Sequence, residues 1–431
     1  MAISIMKKLS IKIEKVIYGG LGLGTYEGKK VFIPETFTGD SVHYEVTKDH
    51  KNYSEGRVLQ TLEQSSHRIP SPCVYSEKCG GCQWINIDYK SQLEAKASFI
   101  QEAFERLGGL EIKSPIPMTP SSQRFHYRNR ILLRGTLENG KVTVGFFQKE
   151  SHTQIPIKKC MIAHEAHNRL IHYLNEVTLE KTRSQKFRLE IQVQPKLYEN
   201  KSPCLLITLI PIEKKHELQD LCLALENYPE TLFLTYLNEN KKSPFFLFEE
   251  NSRLEFYGKP GIFQQINTET NKLLREQVKR LVEKTKANSI LDLYCGSGNL
   301  SLELSDGIRK ITGVEVNKAS IEVASYNVKK NSLLLINYKS QSAQEFLQEQ
   351  KGSGLTDLLI LDPPRRGAKE DLIYIKKLNP KFILYVSCDP TTAARDYKTL
   401  SDSYTLESLE GFDFFPQTYH VETLLLLKKK N

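Results

Sequence analysis

No stretch of this chain comes near the ~20 consecutive apolar residues that a membrane-spanning helix requires, which argues against a helical membrane protein. The opening stretch, Met1 to Ile13, has neither the continuous apolar centre nor the small-residue cleavage site of a secretory leader. The expectation is a soluble, cytoplasmic protein. Cysteine is scarce, eight residues in 431, so a disulfide scaffold is excluded. The chain also lacks internal repeats and low-complexity tracts, which sets aside repeat architectures.

What is present is ordinary globular composition, 39% apolar and 26% charged, over a length suited to several domains. Sixty Lys and Arg against 51 Asp and Glu leave a net charge of +9, which suits a polyanionic partner and equally suits general solubility. Residues 10–62 alternate as short strands (Ile11 and Ile13, Val31 and Ile33, Val42 to Val46) between glycine turns, predicting a small β-barrel. Lys48, Lys51, Tyr44 and Tyr53 give it a composition able to grip single-stranded nucleic acid, or simply a solvated surface. Leu93, Ala97, Ile100, Phe104 and Leu107 recur at helical spacing up to Gly108-Gly109. Residues 125–255 are rich in strand-like runs. Beyond residue 263, helix and strand alternate, predicting an α/β domain with a mostly parallel sheet.

Four features carry chemistry. The strand-like Ser289–Leu293 runs into Tyr294-Cys295-Gly296-Ser297-Gly298-Asn299, a loop in which only glycine lets backbone approach a ligand closely. Glu315 ends the next strand at the distance where an acid accepts hydrogen bonds from ribose hydroxyls. A nicotinamide fingerprint wants a third glycine at position 301, which is serine, so S-adenosylmethionine is the better cofactor. Asp362-Pro363-Pro364-Arg365 follows an apolar strand in a loop stiffened by two prolines, which holds Asp362 at the same sheet edge.

Third, Cys388 closes the run Leu384 to Ser387 just before Asp389-Pro390, where a nucleophilic thiol or a buried structural one are both consistent with position. Fourth, Cys73, Cys79 and Cys82 lie within ten residues and Cys160 follows later, an all-thiolate set that admits zinc or an iron–sulfur cluster. Arg124-Phe125-His126-Tyr127-Arg128-Asn129-Arg130 mixes cations and aromatics as phosphate contact and base stacking require, or as an amphipathic strand does.

Together with Gly261-Ile262-Phe263-Gln264-Gln265-Ile266-Asn267 and His420-Val421-Glu422-Thr423, these motifs resemble the RNA uracil-5 methyltransferases along nearly the whole chain. The bacterial iron–sulfur subgroup that modifies 23S ribosomal RNA is the most similar. The resemblance implies a multi-domain α/β protein: residues 1–63 an OB-like TRAM barrel, 64–262 a mixed α+β domain with a [4Fe–4S] cluster, and 263–431 a Rossmann-like S-adenosylmethionine-dependent domain. It implies Cys388 as nucleophile and Glu422 as general base. Gln265, Tyr294, Gly296, Asn299, Glu315 and Asp362 fall at the cofactor, and Cys73, Cys79, Cys82 and Cys160 hold the cluster. It further implies a monomer acting on RNA. Arg365, Arg366 and Arg395 are candidate cations for ionising Cys388.

Overall fold

The computed structural model describes residues 9–180, 184–194, 204–212, 218–236, 243–350 and 356–430, so the first eight residues of the opening stretch lie outside it. Six strands between Leu9 and Glu63 form one sheet whose two edge strands, Leu9–Lys12 and Lys15–Ile17, are consecutive in the chain. Only Ile13 and Glu14 join them. Their amides donate to Asp40 and Leu23 carbonyls, which draws the two edges together and curls the sheet. Alternation puts Ile11, Val31, Ile33, Val42 and Tyr44 inside. Tyr44 is therefore a core residue and no nucleic-acid contact, because its burial seals the interior that Gly56, lacking a Cβ, leaves room for.

A second six-stranded sheet spans 130–236, antiparallel except where Cys204–Pro211 and Thr231–Tyr236 run parallel. Helices Glu165–Glu176 and Gln219–Glu226 bury one face of it against Leu133, Leu189, Ile191 and Ile207. A third sheet has eight strands, in the spatial order Ile336–Ser340, Lys310–Glu315, Ser289–Leu293, Leu358–Leu361, Phe382–Ser387, Glu422–Lys429, Tyr404–Phe412, Met118–Thr119. The first five are parallel and the sixth is antiparallel to both its neighbours. Apolar layers on both faces account for the unbroken burial of Leu358–Leu361.

Not all of 64–262 packs around the middle sheet. The periodic helix, Tyr89–Ala103, lies with its terminal turn Phe104–Gly108 against helix Pro390–Leu400, through Phe104 on Tyr397. Met118–Thr119 extends the eight-stranded sheet. The hairpin Phe246–Glu250 and Glu255–Gly258 docks on helix Lys318–Lys330, where the Tyr257 amide donates to Asn327 and the Glu255 amide to Asn331.

Candidate active site

Parallel strands deliver their carboxyl ends to one edge, and strand order reverses at the paired Ser289–Leu293 and Leu358–Leu361, so the space beyond their carboxyl ends is the usual ligand crevice of such sheets. A cavity of about 1090 Å³ opens there. Gln265, Tyr294, Gly296, Asn299, Glu315, Asp362, Cys388 and Glu422 all line it.

The glycine loop leaves its strand through left-handed backbone at Tyr294 (φ 62°), Gly296 (φ 53°) and Gly298 (φ 87°). A side chain at Gly298 would strike the Tyr338 hydroxyl, whereas Gly296 faces open space, leaving its backbone free for a ligand. Tyr294 is held by a hydrogen bond from its hydroxyl to Asp371. Glu315 accepts from the Gly296 amide at 3.3 Å and the Asn317 amide at 2.8 Å, which fixes its carboxylate at the loop. Asn299 pairs reciprocally with Asn271 at 2.8 and 3.0 Å, and the Gln265 carbonyl accepts from Asn129. Below the loop, burial pushes the Asp292 carboxyl up to about 7.

Cys388 follows Phe382–Ser387 and immediately precedes helix Pro390–Leu400, which Asp389 caps by accepting from the Thr391 and Thr392 amides. The sheet register sets Ser387 opposite Thr423, so Glu422, at the start of the antiparallel strand, comes beside Cys388. This antiparallel strand unites two residues 34 positions apart. Burial, then the neighbouring Glu422, push the half-buried thiol up to about 12; Arg365 pulls the other way. Burial likewise holds Glu422 well above the usual carboxylate range, with Asp362 adding to it, and holds Asp362 at about 7. Of the three candidate arginines only Arg365 acts on the thiol. Arg395 pairs with Asp396 at 2.7 Å and Arg366 faces Glu370.

Three neighbours carried no clear sequence signal. The Tyr18 hydroxyl, from the barrel, donates to the Cys388 carbonyl at 3.1 Å. His420 lines the cavity and is driven down to about 4 by burial, so it is neutral at pH 7. Arg275 reaches Glu249 and Asn299 beneath the cofactor loop. Only His420 lay within a quoted motif. Within 124–130 Tyr127 is no stacking surface: it is 5% exposed with its hydroxyl on the Pro416 carbonyl, whereas Arg124 is exposed and Phe125 and His126 are half-buried. Arg124 lies over the Tyr89 ring and Arg130 pairs with Glu190.

Cys73, Cys79, Cys82 and Cys160 gather in loops at the middle sheet's edge; Cys79, Cys82 and Cys160 are pushed up chiefly by burial, and in each a neighbouring thiol of the group adds to it. Amides of Gly81, Ile162 and Ala163 donate toward the Cys79 and Cys160 sulfurs. Among the described residues no three ligand-type side chains converge on a point as a single metal ion demands. Gly80 and Gly81, within the cluster, line the catalytic cavity.

The tRNA (uracil-5-)-methyltransferase family model matches residues 249–430. An uncharacterized RNA methyltransferase of Staphylococcus epidermidis is 30% identical over 457 residues, covering 99% of each chain. One from Thermosynechococcus vestitus is 29% identical over 439 residues, 97% of each. The fold matches that of Pyrococcus abyssi tRNA (uracil-54, C5)-methyltransferase, solved with S-adenosyl-L-homocysteine, at a TM-score of 0.71 and 21% identity, over 97% of this chain and 100% of that one. With a family model on its catalytic sheet and full-length relatives at this identity, the chain belongs to the uracil-5 RNA methyltransferase family.

Proposed function

We propose that this protein methylates carbon 5 of one uridine in 23S ribosomal RNA, with S-adenosyl-L-methionine as donor and a transient bond between Cys388 and the base. The observation that carries the reading is the meeting of a strand-end thiol, a buried carboxyl and a glycine cofactor loop in one cavity. The donor supplies a methyl group on a sulfonium cation. Glu315 has the placement to accept its ribose hydroxyls, open Gly296 lets backbone close on it, and Gln265, Tyr294, Asn299 and Asp362 complete the walls.

Carbon 5 of uracil is a weak nucleophile because the ring carbonyls withdraw its electrons. Cys388 gives up its proton to solvent, and its sulfur bonds to carbon 6, moving the double-bond electrons into an enolate. Carbon 5 then attacks the methyl group, whose bond to the sulfonium breaks with the electron pair left on sulfur, so that S-adenosyl-L-homocysteine departs. Glu422, which burial keeps protonated in the free protein, serves as base once its own proton has passed to solvent. The carboxylate takes the carbon-5 proton, that electron pair re-forms the 5,6 double bond, and the carbon–sulfur bond breaks to release the Cys388 thiolate. Arg365 is the resident cation that favours the thiolate. A uridine enters only when turned out of its stack. RNA carrying 5-fluorouridine tests the mechanism: with donor present it should form a stable covalent complex, and Cys388→Ala should form none. Glu422→Gln should accumulate the adduct on ordinary RNA. Free turnover by Cys388→Ala would overturn the reading.

We assign residues 1–63 as a TRAM-like RNA-binding domain, 64–262 as the cluster-bearing domain and 263–431 as the catalytic domain. Four thiols gathered in neighbouring loops, with N–H groups turned toward the Cys79 and Cys160 sulfurs, support our assignment of a [4Fe–4S] cluster to Cys73, Cys79, Cys82 and Cys160. Anaerobic protein should be brown, absorbing at roughly 400 nm; a colourless preparation with stoichiometric zinc would refute this. A transfer-RNA uridine is the second reading, favoured by the fold match to a tRNA enzyme. Mapping 5-methyluridine in ribosomal and transfer RNA from a deletion strain separates the two.

A further inference from the structure

The face of the middle sheet turned away from its two helices carries charge that the chain does not neutralise. Along Arg130–Glu138, Ile131, Leu133 and Leu137 enter the apolar core, so Arg130, Leu132 and Arg134 lie on the opposite face. Along Gln185–Gln194 the core takes Phe187, Leu189 and Ile191, which leaves Lys186, Arg188 and Glu190 outside with them. The register sets Arg134 directly opposite Arg188. Like charges so opposed are destabilising. The nearby carboxylate, Glu190, is engaged by Arg130 at 2.6 Å. Among the described residues neither Arg134 nor Arg188 has an ion-pair partner, and the buried Nε of Arg188 has no acceptor. Arg134 rests on the Phe147 ring at 4.6 Å, which orients its guanidinium.

This face is continuous with the cavity. Gln192 donates to Gln264 at 2.7 Å, Arg130 reaches the Ile262 carbonyl at 3.5 Å, and between them Phe263, 64% exposed, stands at the cavity wall. Arg134 is four residues from Arg130, about 13 Å further along the strand. A pair of opposed, unneutralised arginines at that distance from the mouth matches the phosphates next to a base held in the cavity, and guanidinium is the group that binds phosphate in a bidentate fork.

We propose that Arg134 and Arg188 form a clamp for the RNA backbone flanking the target uridine, with the open face of the middle sheet as its floor. The clamp rests on the uracil-methylating reading for its substrate, so binding and chemistry are measured separately. Protein-free ribosomal and transfer RNA from a strain lacking this gene serves as probe, in filter binding and in methyl transfer. Arg134→Gln/Arg188→Gln in the full chain should weaken RNA binding about tenfold or more at physiological salt and flatten the log–log salt slope by about 1.4, two single-strand phosphate contacts. It should leave kcat at saturating RNA within about twofold of wild type. Because a repulsion is removed, thermal stability should hold or rise. The Arg134→Lys/Arg188→Lys variant should recover the salt slope. Unchanged binding and slope in the glutamine variant, or a loss of stability to match the lost binding, would overturn the clamp. Wild-type protein that binds this RNA through the clamp yet transfers no methyl group would overturn the functional reading alone.

Discussion

Cys388 is held in its protonated state in the free protein: burial and Glu422 outweigh Arg365 and leave the thiol near 12. A thiol two or more units above ambient pH is a poor nucleophile. Alkylation of Cys388 by iodoacetamide, followed by peptide mass mapping, should therefore rise about tenfold per pH unit through pH 10. Arg365→Gln should slow it, and Glu422→Gln should speed it. Fast alkylation of wild-type Cys388 at pH 7 would contradict this balance. Asp292 gives a stability counterpart. Its folded pKa, about 7, lies above the value of 3.8 for an unburied aspartate. An acid raised on folding contributes stability below the unfolded pKa and loses it as pH climbs through the folded one. Asp292→Asn should thus match wild type near pH 4 and gain on it up to pH 7, by at most ~4 kcal/mol. Urea unfolding across that range reads the difference.

At the scale of elements, the segment from Asp413 to Val421 decides where Glu422 stands, and it is held from three sides: helix Tyr89–Ala103, Asn267 and Tyr127. Lys96 pairs with Asp413 at 2.6 Å in full burial and also donates to the Phe415 carbonyl. Gln92 exchanges hydrogen bonds with Gln417, Asn267 donates to the Phe414 carbonyl, and Tyr127 donates to that of Pro416. Lys96→Met should cost about 3–5 kcal/mol, because it strands a buried carboxylate, and should lower kcat more than donor affinity. Pairing it with Asp413→Leu should restore much of the stability, though not the loop's geometry. Little of this clamp was legible in the sequence. Strands Ser289–Leu293 and Leu358–Leu361 and helix Thr268–Thr285 were, since their apolar runs and periodicity are set locally. The antiparallel return Tyr404–Phe412 was not, because its polar alternation reads as surface until its partner is known. Lys96 and Asp413 each look like ordinary surface charges, and only their apposition 317 residues apart makes them internal.

Across the whole molecule, three units send residues to one cavity: Gly80 and Gly81 from the cysteine loops, Asn129 from the head of the middle sheet, and Cys388 and Glu422 from the eight-stranded sheet. Among the described residues the barrel does not line the cavity, and it reaches the site from behind, through Tyr18. Tyr18 makes edge contacts with Phe99 and Tyr419 and donates to the carbonyl of Cys388. Burial, with Asp389 and Cys388 behind it, keeps that phenol protonated and therefore a donor at every working pH. Gly296, Glu315 and Asp362 carry local signatures, a glycine loop and strand ends, whereas Gln265, Asn299 and Glu422 stand out only through the family resemblance; a tyrosine whose hydroxyl reaches a carbonyl 370 residues away has no signature at all. Tyr18 touches the backbone of Cys388 and no reacting atom, so it is a positioning residue. Tyr18→Phe keeps the ring packing and removes only the hydroxyl. A neutral hydrogen bond of this kind is worth about 0.5–1.5 kcal/mol, so kcat should fall roughly twofold to tenfold, with KM for RNA and donor affinity unmoved. A purely structural ring would leave kcat intact in the phenylalanine variant. A change confined to KM would instead make the barrel a binding module with no hold on the thiol.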